Sequence, residues 1–301
     1  MATATAEQHQ QQQEALASLI AAQIAVVWPL LDVHDIAGTR DQFVFAVEAI
    51  VRQYGMASAQ AALDHYRRAR RDVGLTASVP NLTLPPPVPS VDVDQVVGVA
   101  LSNLYGKVTP DSEQATLEQI TEGVTQLVLD QGREQIIDAV RQDRVAKGWV
   151  RITEPGACWF CAMLALRGGA GFLYKTEQSA GRHSNRRFTG GGFPFKVHDN
   201  CRCHAEPVFT AYEPSARMRD AERIWREATN GSKSGKDSQR RFRQAWEGRK
   251  VTGVAAPDRG PIVGSGMTRD QIANQVRILE GLKDSAYRTR RLAELRTLLA
   301  L

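Results

Sequence analysis

Residues 41–54 read Asp-Gln-Phe-Val-Phe-Ala-Val-Glu-Ala-Ile-Val-Arg-Gln-Tyr. Phe43, Val47, Ile50, Val51 and Tyr54 fall three and four residues apart, which places them on one face of an α-helix. The same period extends in both directions. Upstream, Leu16, Leu19, Ile20 and Ile24 predict a helix that ends near Pro29, after a Gln-rich opening (Gln8, Gln10 to Gln13) expected to fray. Downstream, Gly55 is expected to end the helix, and a third is expected from about Ala57 to Asp72. Its Arg67, Arg68, Arg70 and Arg71 read as a solvated end near the negative pole of the helix dipole. Further helices are expected from near Asp92 and from Asp111. Leu117, Ile120, Val124, Leu127 and Val128 stripe the last of these, and Gly132 is expected to kink or break it before Ile136, Ile137 and Val140.

The period stops between Leu75 and Val91, where Pro80, Pro85, Pro86, Pro87 and Pro89 forbid a helix and predict a stiff, extended connector. The segments are therefore an N-terminal helical subdomain (1–74), a Pro-rich linker (75–91) and a helical region (92–148). A Cys/His module (149–209) follows, then a basic helical segment (210–250), a linker (251–267) and a C-terminal helix (268–301). Ile272, Val276, Leu279, Leu292, Leu295 and Leu299 stripe that last helix. The module is rich in glycine turns, with β-like pieces at Trp149–Thr153 and Phe193–Val197. The fold class this gives is α+β, predominantly α-helical, with a small Cys-rich, turn-rich α+β module. No internal repeat is visible.

The chain has 301 residues, about two ordinary domains, and its 43% hydrophobic content excludes wholesale disorder. Charge is divided along it. Residues 1–150 carry 11 Lys/Arg against 18 Asp/Glu, whereas 211–301 carry 19 against 11, so the two halves are expected to meet different partners. Ser18, Gln23 and Pro29 interrupt the most apolar run, Ala15 to Leu31, and the first basic residue is Arg40. We expect neither a membrane span nor a secretory signal, and a soluble chain that is intracellular when made.

All four cysteines lie in the module, as Cys158-x-x-Cys161 and Cys201-x-Cys203. His198 stands three residues before Cys201, and His204 follows Cys203. Two close cysteine pairs from separate turns are a common way to encode a tetrahedral zinc site. On an extended strand Cys201 and Cys203 would point the same way, with Arg202 opposite. His198 joins them if Asp199-Asn200 makes a turn. Cys158, Cys161, His198, Cys201 and Cys203 are thus five donors for four positions around a structural zinc. Buried thiols without metal and, in an oxidising setting, disulfides are the other readings.

The run Ile152-Thr-Glu-Pro-Gly-Ala-Cys158-Trp-Phe-Cys161, followed by glycine-rich turns and His198-Asp-Asn-Cys201-Arg-Cys203, resembles the phage Mu F-like minor head protein family. In that family a cysteine pair is followed by a His-x-x-Cys-Arg-Cys ending. The resemblance covers roughly residues 145–210, about a fifth of the chain, and an α-helical region before the module fits it. Asp199 stands where that ending has Pro, and Asp also forms turns. The resemblance implies a head morphogenesis (minor capsid) protein of a tailed phage, present in few copies in the capsid interior and in the host cytoplasm during assembly. The partners it implies are the portal protein, major capsid or scaffold proteins, and packaged double-stranded DNA, in a role in head assembly, DNA packaging or ejection.

Between Arg217 and Lys250 eleven Lys/Arg are interleaved with Trp225, Phe242 and Trp246. Lys233, Lys236, Arg240, Arg241 and Arg243 are the candidates for nucleic-acid binding, since polybasic segments with aromatic neighbours suit phosphate neutralisation and base stacking. The competing reading is a solvated amphipathic helix whose aromatics pack inward, with acidic neighbours diluting the charge. Catalytic motifs are absent: no Walker A loop, no His-Glu-x-x-His and no Gly-x-Ser-x-Gly occurs. No catalytic residue is assigned. The alternative function is a capsid maturation protease, with Ser184 or a thiolate as nucleophile and His183 or His34 within its triad. Hydrolysis by a metal with an open coordination position is a third route.

Overall fold

The structure, a computed structural model, describes residues 4–77, 82–106, 108–153, 157–166, 173–174, 203–248 and 296. Among these the fold is mostly helical, with one two-stranded sheet. The elements are α1 (Ala4–Val27), α2 (Ile36–Asp72), α3 (Ser90–Leu101), α4 (Pro110–Gln142), β1 (Gly148–Ile152), α5 (Trp159–Ala165), β2 (His204–Val208), α6 (Ala216–Thr229) and α7 (Gly235–Gly248). Short 3-10 turns follow α1 at Trp28–Leu30 and α3 at Ser102–Leu104. The strand expected at Phe193–Val197 and the helix expected from residue 268 lie outside the described residues, Arg296 excepted.

Three expectations about helices are corrected. The Gln-rich opening is helical from Ala4, because the buried stripe Ala6, His9, Gln13, Ala17, Ile20, Ile24 and Trp28 runs the whole length of α1. Gly55 does not end α2: a glycine costs a helix about 1 kcal/mol, less than is gained by burying Val51, Ala59, Ala62 and Leu63 on either side of it. Gly132 likewise leaves α4 unbroken, between buried Val128 and Leu129 and buried Ile136 and Ile137. Thr109 and Ser112 start α4 by reciprocal capping, each backbone N–H donating to the other's hydroxyl at 2.9 and 3.2 Å. Residues Thr5–Leu30 are long and apolar enough to cross a membrane by length and composition, which the sequence reading did not expect. A helix with one side in a protein core passes the same test, and the buried stripe of α1 is such a side.

The chain forms two compact units, each discontinuous in sequence. One draws its described residues from within 14–58 and 86–129. Its core holds Ile20, Ile24, Trp28, Phe43, Val47, Val97, Leu101, Ile120 and Val124, and Trp28 meets Phe43 edge-on at 5.8 Å. The stripes of α2 and α4 read from the sequence fill this core.

The other unit draws on 4–13, 59–85 and 130–248. Here β1 and β2 pair antiparallel, Gly148 opposite Val208 and Ile152 opposite His204. Trp149 also bridges to Tyr174 through backbone bonds of 2.9 and 2.8 Å, with the two rings stacked at 4.4 Å. The core around the sheet includes Tyr66, Ile136, Ala139, Trp149, Ala205 and Phe209. Beside it, Asp143 accepts from Arg70 Nε at 2.7 Å and from the Tyr66 hydroxyl at 2.9 Å. Burial and that carboxylate hold the Tyr66 phenol protonated far above its ordinary range.

Candidate functional site

Three of the four cysteines are described, at the start of α5 and just before β2. Cys158 is the N-cap of α5, its Sγ accepting from the Cys161 N–H at 3.4 Å. Cys161 is therefore one turn into the helix, and it is buried; Cys158 is half-buried. Cys203, buried, immediately precedes β2. Cys158, Cys161 and Cys203 belong to one core cluster together with Ala157, Trp149 and Tyr174. Arg133 from α4 braces the approach to β2, donating Nε to the Cys203 carbonyl at 2.7 Å and pairing with Asp130. His198, Cys201 and the protease candidates His183 and Ser184 lie outside the described residues. Among those described, no three His, Cys, Asp or Glu side chains are arranged to hold a metal ion on their own.

The basic segment forms an α6–α7 hairpin. Ser215 caps α6 by accepting from the Met218 N–H at 3.3 Å, and Ser234 caps α7 by accepting from the Asp237 N–H at 3.2 Å. Its aromatics pack inward: Phe242 and Trp246 are buried with Ala162, Met163 and Leu164 of α5, and Trp225 packs against them. Trp246 Nε1 donates to the Ala157 carbonyl at 3.0 Å, next to Cys158. The inward-packing reading therefore describes Phe242 and Trp246, which present no face for base stacking. The basic candidates are on the outside. Lys233, Lys236, Arg240 and Arg243 are exposed and Arg241 is partly so. Arg240 and Arg241 pair with Asp237, while Arg243 pairs with Glu247 and lies over the Trp159 ring. Exposed pairs of this kind are worth well under 1 kcal/mol and exchange readily for other anions.

A third constellation is one that the sequence reading missed. His9 from α1, His65 from α2 and His204 from β2 are all buried. The His9 and His65 rings stack in parallel at 4.5 Å, and His204 meets His9 edge-on at 5.5 Å. His65 Nε2 is 2.7 Å from Glu206 Oε2. Burial, then His65, His204 and Arg68, hold the His9 imidazole well below its ordinary value. Burial, then His65 and Arg133, push His204 down to about 3. The signal was present in the spacing of His9 and Gln13 with Ala6 and Ala17, a stripe hidden by its polar composition.

Among the described residues, long helices and one two-stranded sheet define a mostly helical α+β protein. A family model described as VG15 protein matches residues 1–228. The chain belongs to the VG15 protein family, a viral family of phage proteins. No curated protein and no solved structure matches it.

Proposed function

We propose that the protein is a minor capsid protein of a tailed phage, held in the capsid interior beside the portal protein and assisting head assembly, DNA packaging or ejection. The observation that carries this reading is where the chemistry lies. Cys161, Cys203 and the three imidazoles face the core, while the α6–α7 hairpin turns its arginines to solvent. Buried thiols maintain a fold and an exposed basic face binds, which suits an assembly component better than an enzyme. Membership of a phage family supports it, as does the likeness of Cys158-x-x-Cys161 and His198-Asp-Asn-Cys201-Arg-Cys203 to the Mu F-like ending.

Within this reading Cys158, Cys161, His198, Cys201 and Cys203 supply the donors for a structural zinc. The three described thiols share one cluster and suit the metal's preference for sulfur and nitrogen. Zinc would contribute a cross-link between α5 and the approach to β2. Lys233, Lys236, Arg240, Arg241 and Arg243 would meet the phosphates of packaged DNA, and the acidic half of the chain the portal or other capsid proteins.

The test is a phage lacking the gene, complemented with the wild-type chain or with Ser184→Ala. Quantitative mass spectrometry of purified heads is expected to find a few copies per particle. Both complemented phages are expected to cleave or retain their major capsid protein identically. Absence from purified heads would overturn the capsid assignment, and a processing defect confined to Ser184→Ala would establish the maturation protease instead.

A further inference from the structure

The imidazole cluster contains polar atoms with nothing to bind. Arg68, half-buried on α2, has both Nε and Nη2 buried without a hydrogen-bond partner among the described residues. Those two nitrogens form one edge of the guanidinium, the edge that grips two oxygens of a carboxylate or phosphate side by side. His9 Nδ1, His65 Nδ1 and His204 Nε2 are buried and without partners as well. Neutral His9 and His204 can carry their proton on Nδ1 and Nε2 respectively, whereas His65 gives its Nε2–H to Glu206, so its neutral Nδ1 is an acceptor and the donors left for a ligand are His9 and His204. The acids at hand are engaged, Glu206 by His65 and Asp130 by Arg133.

From this geometry we propose that the cluster is a binding site for a small tetrahedral oxyanion of phosphate or sulfate size, gripped by the Nε–Nη2 edge of Arg68 and contacted by imidazole N–H groups. Since Glu206 and Asp130 are already engaged, Arg68 is the charge left without a counter-ion among the described residues, and that decides against a cation. Arg68 stands one turn from His65 on α2 and brings positive charge to the imidazoles, which the lowering of His9 also registers. Geometry agrees, because parallel stacked rings such as His9 and His65 cannot aim in-plane lone pairs at one common ion. Burial on α1, α2 and β2 fits a free inorganic anion and excludes the backbone of a DNA duplex. The site is separate from the basic hairpin, while His204 directly follows Cys203 of the proposed zinc set.

The experiment is titration of the purified full chain with inorganic phosphate and with sulfate, by calorimetry and by thermal unfolding, against sodium chloride of equal ionic strength. Saturable one-to-one binding and a rise of several degrees in Tm are expected for the oxyanions alone. Arg68→Gln is expected to lose both. Arg68→Lys, which keeps the charge but not the two-pronged edge, is expected to bind at least tenfold more weakly, and it carries the test if Arg68→Gln fails to fold. An equal rise in chloride, or undiminished binding by the two variants, overturns the proposal. So does binding of a short DNA duplex that depends on Arg68 without any binding of the free anions.

Discussion

Gly148 is the position where one added methyl group would matter most. Its φ is +148°, and a Cβ there would stand 2.4 Å from the Tyr174 carbonyl oxygen. Gly148→Ala is expected to destabilise the protein by about 1–3 kcal/mol, seen as a lower urea midpoint, and an unchanged midpoint would mean that this backbone approach does not exist in solution. His9 makes a different prediction. Its imidazole is held below the ordinary value, so the unfolded chain binds the proton more readily than the folded one. Stability is therefore full above about pH 6.5 and declines as pH falls from there toward the folded value, by up to about 1.4 kcal/mol per pH unit for this one group. Urea midpoints at pH 8 and pH 5 are expected to differ more for the wild type than for His9→Gln; equal differences would refute the assignment. The one local signal, the spacing of His9 with Ala6, Gln13 and Ala17, was hidden by polar composition. A polar opening rich in glutamine reads as frayed, and what buries it is His65 and His204, far along the chain, whose positions no short-range pattern contains.

At the scale of elements the stripes were legible, and so were several ends: Asp72 closes α2, and α3 and α4 begin within two residues of the expected Asp92 and Asp111. Phe43, Val47, Ile50 and Val51 are on the buried face where their spacing put them. β1 was legible to within a residue, as the β-like piece expected at Trp149–Thr153. The errors came from treating glycine as punctuation: Gly55 and Gly132 carry a propensity cost that flanking burial exceeds, and tertiary packing is invisible to a local rule. The same limit applies to the hairpin, where composition offered Trp225, Phe242 and Trp246 as equally good for stacking bases or filling a core. The hairpin's prediction concerns salt. If its outer face meets DNA, the observed affinity falls with salt. Charge-neutralising Arg240, Arg241 and Arg243 together is then expected to reduce the log–log slope by up to about 3, at roughly 0.9 for each phosphate left without its arginine. Filter binding across a salt series reads this directly, and an unchanged slope in the triple variant would remove these residues from the DNA face.

For the whole molecule, the grouping of Cys158, Cys161 and Cys203 was legible because cysteines are scarce and their spacing is chemical, not periodic. The division into units was not, since only the seam between residues 85 and 86 falls in the Pro-rich stretch. The other seams among the described residues fall inside α1, α2 and α4, where composition does not change. The prediction at this scale is metal content. One zinc per purified chain is expected, with chelation lowering the thermal midpoint; metal-free protein with four titratable thiols would leave the cysteines as core residues alone. The pairing of β1 with β2 has a further consequence, for biosynthesis. β1 ends at Ile152 and its partner begins at His204, so about fifty residues must be looped out before the first rung of the ladder closes. During translation β1 emerges from the ribosome long before β2 and carries an open edge, with Trp149 and Val150 exposed, for the whole of that interval. A nonsense fragment that stops short of residue 204 would keep that edge permanently, as a sticky product for chaperones and proteases, whereas one extending beyond Val208 would bury it.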